Sequence, residues 1–288
     1  MPMMFRGRTV RSDRALVMAI INRTPDSFYD NGATFFDAPA MAAARRAVEA
    51  GADILDVGGV KAGVGDDVDV AEECRRVVPF VAALREMFPD VIISVDTWRH
   101  EVGAATCAEG ADLLNDTWAG HDPELADVAI EFGTGYVCSH TGGATPRSRP
   151  FRVQYDDVVG EVLDTVTAAA HDLVDRGVPA EGILIDPTHD FGKNTWHSLA
   201  LTRRLNELVA TGWPVLVAVS NKDFVGETLG GLPPAERLSG TLAATAISAW
   251  HGASVFRAHN VVETRQVLEM VASVKGHRPP PLVTRGLV

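Results

Sequence analysis

Several polar side chains share one kind of place in this sequence. Asn22, Asp56, Asp96, Asn115, Asp116, His140, Asp186, Ser220, Lys222, Arg257 and His259 each stand at or near the carboxyl end of a short apolar run. One polar residue in such a place is usually a helix cap or a turn former. Caps alone do not require carboxylates, amides, a lysine, an arginine and two histidines at most of the run ends. If the runs converge, these groups line one mouth suited to a small molecule. Asp96, Asn115 and Asp186 would then grip a planar heterocycle carrying adjacent N–H and amino donors, because a carboxylate accepts two such bonds side by side. Lys222 would donate to a ring carbonyl or nitrogen. Arg257 and His259 alternate with Ala258, so they share one face of a strand. Turned inward, they would present a guanidinium and an imidazole to one phosphate. Asn22 offers a neutral oxygen suited to magnesium (Mg2+), a hard cation that rides on phosphates and takes few protein ligands. The residues therefore point to a heterocycle linked to a phosphate or diphosphate.

Positioning these groups requires regular elements. The apolar runs at 16–22, 53–58, 91–96, 113–116, 136–140, 183–186, 215–220 and 255–259 are nearly continuous in Val, Ile and Leu, as strands covered on both faces should be. Amphipathic stretches predict helices between them, at 38–50, 70–88, 99–109, 123–132, 155–176, 196–210, 234–250 and 261–275. Gly51, Gly110, Gly177, Gly212 and Gly252 each fall just past a helical stretch and just before a strand, where a left-handed turn is commonly needed. The phrases Gly51-Ala52-Asp53-Ile54, Gly110-Ala111-Asp112-Leu113 and Gly252-Ala253-Ser254-Val255 are alike, as in a repeated βα unit. Eight strand–helix pairs close most simply as one α/β domain, a single (β/α)8 TIM barrel over about residues 15–275 of the 288. An open doubly wound sheet is the competing arrangement, but no Gly-x-Gly-x-x-Gly follows the first strand. In the barrel, sites lie at the carboxyl ends of the strands, and phosphate often binds near the last ones.

Composition narrows the function. Acids outnumber bases 38 to 26, for a net charge of −12. Nucleic-acid binding needs a basic face, so that class of partner is not expected. No apolar run approaches the roughly 18 residues of a membrane helix. The opening Met1-Pro2-Met3-Met4-Phe5-Arg6 lacks a signal-peptide core, and the expected location is the cytoplasm. Cys74, Cys107 and Cys138 are odd in number and widely spaced, which suggests buried thiols in a reducing compartment.

Ordered motifs then bring a resemblance into view. Asn22-Arg23-Thr24-Pro25-Asp26-Ser27-Phe28 resembles the first-loop signature of the dihydropteroate synthase family, and residues 51–59 resemble its second strand. Ser94-Val95-Asp96-Thr97, Asn115-Asp116, Asp186-Pro187 with Phe191-Gly192-Lys193-Asn194, Ser220 with Lys222, and Arg257-Ala258-His259 follow in the family's order. The family joins p-aminobenzoate to a dihydropterin bearing a diphosphate on its methylene group. The resemblance implies that Asp96, Asn115, Asp186 and Lys222 bind pterin. It implies that Asn22, Arg257 and His259 handle diphosphate and Mg2+, and that the chain is a homodimer through its late helices.

The departures bear on activity. After Gly58-Gly59 the family has Glu-Ser-Thr-Arg-Pro-Gly, whereas this chain has Val60-Lys61-Ala62-Gly63-Val64-Gly65. The hydroxyl, the arginine and the proline are gone. Thr188-His189-Asp190 replaces a glycine-rich run, and Asn221 replaces an arginine between Ser220 and Lys222. Arg23 replaces a small apolar residue and Asn260 an aspartate. Lys61 and Arg23 are the residues placed to restore the lost charge, although a lysine does not reproduce an arginine fork. The expectation is a homologue that keeps a pterin-type pocket, accepting a pterin or related heterocycle and p-aminobenzoate analogues, with little or no synthase activity. An active synthase, and another pterin protein akin to methyltetrahydrofolate methyltransferases, are the alternatives.

Overall fold

In a computed structural model of the chain, residues 3–24, 37–63, 65–148 and 153–286 are described. Pro25 to Phe28 of the first-loop signature and Val64 lie outside them. The chain opens with a hairpin of β1 (Met4–Phe5) and β2 (Arg8–Thr9). There follow β3 (Leu16–Asn22), α1 (Asp37–Glu49), β4 (Ile54–Gly58), α2 (Val70–Met87), β5 (Ile92–Asp96) and α3 (His100–Ala108). Next come β6 (Leu113–Asn115), α4 (Leu125–Phe132), β7 (Gly135–Ser139), α5 (Val158–Arg176) and β8 (Ile183–Asp186). The last part holds α6 (Thr195–Arg203), α7 (Leu205–Val209), β9 (Leu216–Val217), α8 (Asp223–Thr228), α9 (Leu238–His251), β10 (Val255–Ala258) and α10 (Val261–Val274).

Strands β3 to β10 form one parallel sheet in the order β8-β7-β6-β5-β4-β3-β10-β9. A parallel bridge between Ile185 and Val215, with the Ile185 N–H donating to the Pro214 carbonyl at 3.0 Å, joins its two edges. The chain is thus the expected (β/α)8 barrel and not an open sheet.

Side-chain alternation along each strand separates two cores. Val17, Ala19, Ile21, Leu55, Val57, Ile93 and Val95 face outward and pack under the helices. The inward positions change character along the strand, from apolar at the amino end to polar at the carboxyl end. They run Met18, Ile20, Asn22 on β3, Ile54, Asp56, Gly58 on β4 and Ile92, Ser94, Asp96 on β5. The same grade appears in Leu113 and Asn115, in Leu184 and Asp186, and in Val255, Arg257 and His259. Register pairs Met18 with Ile54 and Ile54 with Ile92, and at the other end Asn22 with Gly58, Gly58 with Asp96 and Asp96 with Asn115. An apolar floor therefore underlies a polar mouth.

The β1–β2 hairpin closes the floor. Phe5 is fully buried among Leu16, Ile54, Leu113 and their neighbours. A Cβ at residue 135 would lie 2.3 Å from the Phe5 ring and 2.7 Å from the Gly182 carbonyl oxygen, so only glycine fits there.

Element boundaries otherwise follow the sequence, with four differences. The helix expected at 196–210 divides at Arg204 (φ −107°, ψ 19°), and the turn keeps Leu205 and Leu208 buried in step with Leu201. The strand expected at 215–220 is regular only over Leu216–Val217, next to the Val215 bridge, because the chain then leaves the sheet to carry Ser220 and Lys222 over the mouth. The helix expected at 234–250 begins with a 3-10 turn, Pro234–Glu236, and becomes α-helical at Leu238. The hairpin and α8 were not anticipated, being too short to show a period. Cys107 and Cys138 are buried and Cys74 is half-buried, with burial raising the pKa of each thiol. Among the described residues, no helix is long and apolar enough to cross a membrane.

Replacing Phe5 by Ala should lower stability by about 3–5 kcal/mol, the usual range for a buried phenylalanine. Urea unfolding measures this, and a loss under about 1 kcal/mol would show that the hairpin does not seal the floor.

Candidate active site

The polar ends of the strands meet in a cavity of about 470 Å³, whose lining includes Asn22, Asp96, Lys222, Arg257 and His259. Asn115 and Asp186 lie deeper, only 1% and 2% exposed. Asn115 occupies β6, between Asp96 on β5 and Asp186 on β8, as expected from their strand ends.

At the centre is a residue to which the sequence reading gave no binding role. Asp56 accepts the Ser94 hydroxyl at 2.6 Å, the Asn115 amide at 3.3 Å and the Arg257 Nε–H at 2.6 Å. Arg257 donates a second bond, from Nη2 to Asp96 Oδ2 at 2.7 Å. The guanidinium does point into the barrel, but it is held in a carboxylate fork rather than standing beside His259 as a bare cation. The His259 Nδ1 lies 3.0 Å from the Ser220 hydroxyl. Asp96 also accepts the Thr117 hydroxyl at 3.2 Å. Burial pushes Asp96 up to about 7, against the opposing pull of Arg257 and with a contribution from Asp56. The buried Asn115 Oδ1 has no hydrogen-bond partner among the described residues. A buried acceptor left so is costly without a donor.

The opposite wall follows β8. The Asp186 carboxylate accepts the Thr188 N–H at 2.7 Å, and burial raises its pKa. Lys222 donates to the His189 carbonyl, and its ammonium lies 4.8 Å from the centre of the Phe191 ring. Burial lowers its pKa, while Asp190 and Asp186 oppose that. Lys193, also unassigned from the sequence, donates to the carbonyls of His140, Phe191 and Thr188 at 2.7, 2.9 and 3.1 Å. It ties down the loop that carries Phe191. Two strand-end residues turn elsewhere. Asp116 accepts Trp118 N–H, Gly120 N–H and the Tyr136 hydroxyl, and so organises its own loop. The His140 ring packs near Tyr155, outside the cavity lining.

Comparison with known proteins agrees with the barrel fold. Residues 18–259 match the pterin binding enzyme family. The chain is 61% identical, over the full length of both chains, to inactive dihydropteroate synthase 2 of Mycobacterium leprae. The chain belongs to the dihydropteroate synthase family. Among solved structures, the Yersinia pestis dihydropteroate synthase in a sulfonamide complex superposes with a TM-score of 0.91 at 34% identity, covering 96% of this chain and all of that one. The Xanthomonas albilineans enzyme in complex with 7,8-dihydropteroate gives 0.84 at 34% identity, covering 96% and 99%.

Within the family, this member differs at the loops over the mouth. Lys61, Ala62 and Gly63 line the cavity, and the Gly63 carbonyl accepts Arg147 at 3.4 Å. Arg23 does not stand in for the missing arginine. Its guanidinium lies over the Phe80 ring at 4.6 Å, pairs with Asp37 and donates to the Arg76 carbonyl at 3.3 Å. Asn221 is held by Thr241, whose hydroxyl accepts its N–H at 3.0 Å, and is only 1% exposed. The central role of Asp56 was readable in principle from its inward register beside Ser94, one layer below Asn22 and Asp96. Lys193 left no comparable signal, since its partners are backbone carbonyls.

The raised pKa of Asp96 has a measurable consequence. A carboxyl whose folded pKa of about 7 exceeds its ordinary 3.8 binds its proton more tightly when folded. Its stabilising contribution is complete below pH 3.8 and is lost as pH rises through about 7. Asp96→Asn should therefore flatten the pH dependence of stability across that window in thermal unfolding. An unchanged slope would show that Asp96 is ionised throughout.

Proposed function

We propose that this protein holds a pterin-type heterocycle at its barrel mouth and has little or no dihydropteroate synthase activity. The observation that carries this reading is the contrast between the two ends of one cavity. Asp96, Asn115, Asp186 and Lys222 stand together at the heterocycle end, with an acceptor on Asn115 still to be satisfied. The end that must hold the leaving group has Ala62 and Gly63 in place of a hydroxyl and an arginine, and the nearby Arg23 is bound to Asp37. The inactive Mycobacterium leprae relative, matched over its whole length, supports the same reading.

In the family's reaction diphosphate departs from the pterin methylene and an arylamine attacks the exposed carbon. Here Asp186 and Asn115 would accept the heterocycle's donors, Lys222 would donate to the ring, and Arg257 and His259 would face the leaving group. Asn22 lines the cavity, and its neutral amide oxygen fits a Mg2+ that keeps phosphate oxygens as its other ligands; the ion would supply charge neutralisation on diphosphate. What is missing is a second fixed cation, and one such donor is commonly worth about 10²–10³ in rate.

Trp250 and Met270, 54% and 65% exposed on α9 and α10, together with Ile247 and Val274, form an apolar surface that supports a homodimer. Leu268, also on α10, is buried in the core. The three unpaired cysteines suit a cytoplasmic setting.

Calorimetric titration should show pterin binding that Asp186→Ala weakens by about 1–3 kcal/mol. A direct assay with Mg2+, the pterin diphosphate and p-aminobenzoate should then show turnover at least about 10²-fold below an ordinary synthase. Ordinary turnover would mean that Lys61, which lines the cavity, has taken over the lost charge. Sedimentation should give a dimer that Trp250→Glu converts to monomer, and a monomeric parent protein would remove the dimer from the proposal.

A further inference from the structure

The loop after β8 holds a carboxylate that the pterin reading leaves without a task. Thr188 and Asp190 both adopt left-handed backbone, with φ of 53° and 71°, in a stretch where the family is glycine-rich. Glycine takes that conformation without penalty, aspartate at a small cost and a β-branched threonine at a larger one. A side chain retained there points to a use for the side chain itself.

Asp190 is well placed for one. It lines the cavity and cannot swing out of it. The Ser198 hydroxyl donates to Oδ1 at 3.0 Å, the Phe224 N–H donates to Oδ2 at 3.2 Å, and the Asp190 N–H donates back to the Ser198 hydroxyl at 3.1 Å. Of the charges around Lys222, Asp190 acts most strongly and Asp186 next. The other fixed cations are engaged as well. Arg257 lies between Asp56 and Asp96, and Lys193 is enclosed by three carbonyls. Asp223 and Glu227 line the same cavity, although Arg237 pairs with Asp223 at 2.9 Å. An incoming anion meets Arg257 and Lys222 already opposed by carboxylates, and Lys61 as a further lysine of the lining. Burial raises the pKa of Asp190, but the Lys222 ammonium beside it favours its charged form. In a cleft walled by protein, that charge is poorly screened.

We propose that Asp190 sets the ligand class of this mouth, selecting an uncharged pterin over the same pterin carrying a diphosphate. The inference rests on the pterin reading above and names which pterins are retained. The diphosphate group adds several negative charges to the cavity that Asp190 lines beside Lys222, whereas a hydroxymethyl group adds none.

The test compares hydroxymethyl-dihydropterin with its diphosphate, each titrated by calorimetry with Mg2+ into the full-length protein and into Asp190→Asn and Asp190→Gly. Asparagine keeps an acceptor for Phe224 and removes the charge. Glycine suits the left-handed backbone, so it remains informative should the asparagine variant fold poorly. The parent protein should prefer the uncharged pterin by about tenfold or more, and either variant should move the ratio toward the diphosphate by about tenfold, the scale of one partly screened charge. A parent that prefers the diphosphate, or a ratio unchanged in both folded variants, overturns the role of Asp190 while leaving a pterin pocket in place. If neither pterin binds, the pterin reading falls and this inference falls with it.

Discussion

Arg257 reaches across the barrel from its last strand and is gripped by Asp56 and Asp96 from two others. Most of the mouth depends on this fork. It fixes Asp96 at the cavity wall, and it orients Asp56, which in turn anchors Ser94 and Asn115. A buried pair of this kind is weak evidence for stability, because desolvation offsets much of the attraction. Removing one member is a different matter, since the partner charge is left uncompensated. The network therefore acts chiefly to hold side chains in one geometry, as a site for a planar ligand requires.

The barrel makes such a network possible by dividing each strand into two tasks. Inward residues near the amino ends are apolar and sealed below by Phe5. Those near the carboxyl ends are polar and supply the mouth. Outward residues on the same strands remain apolar throughout and pack under the helices. Polar groups can gather at one end because the other end already provides a dry floor, and their low exposure follows from the same packing.

The loops then decide how the family's pocket is used. The heterocycle end is built on strand ends and stays close to the family pattern. The leaving-group end is built on loops, where substitutions are tolerated without disturbing the sheet. Gly63 falls there, whereas Asn221 and Asp190 fall on the loops beside Lys222, and together the three subtract positive charge or add negative charge. Fold and pocket can thus persist while the chemistry changes, because strands and loops answer to separate constraints.

The sequence by itself determined the architecture. Continuous apolar runs, amphipathic spacers and the glycines between them set eight strand–helix pairs, and strand-end position alone brought Asn22, Asp96, Asn115, Asp186, Lys222, Arg257 and His259 to one mouth. Such features are local, carried by neighbours in the chain. Only the tertiary structure decided which charges meet. The contact between Arg257 and Asp56 spans 201 residues, and no periodicity announces it. The same holds for Lys193, whose partners are backbone carbonyls, and for Arg23, drawn away from the mouth by Asp37 and Phe80. Whether a cation serves a ligand or is already satisfied within the protein depends on closure of the barrel, since only closure sets the distances over which charges act.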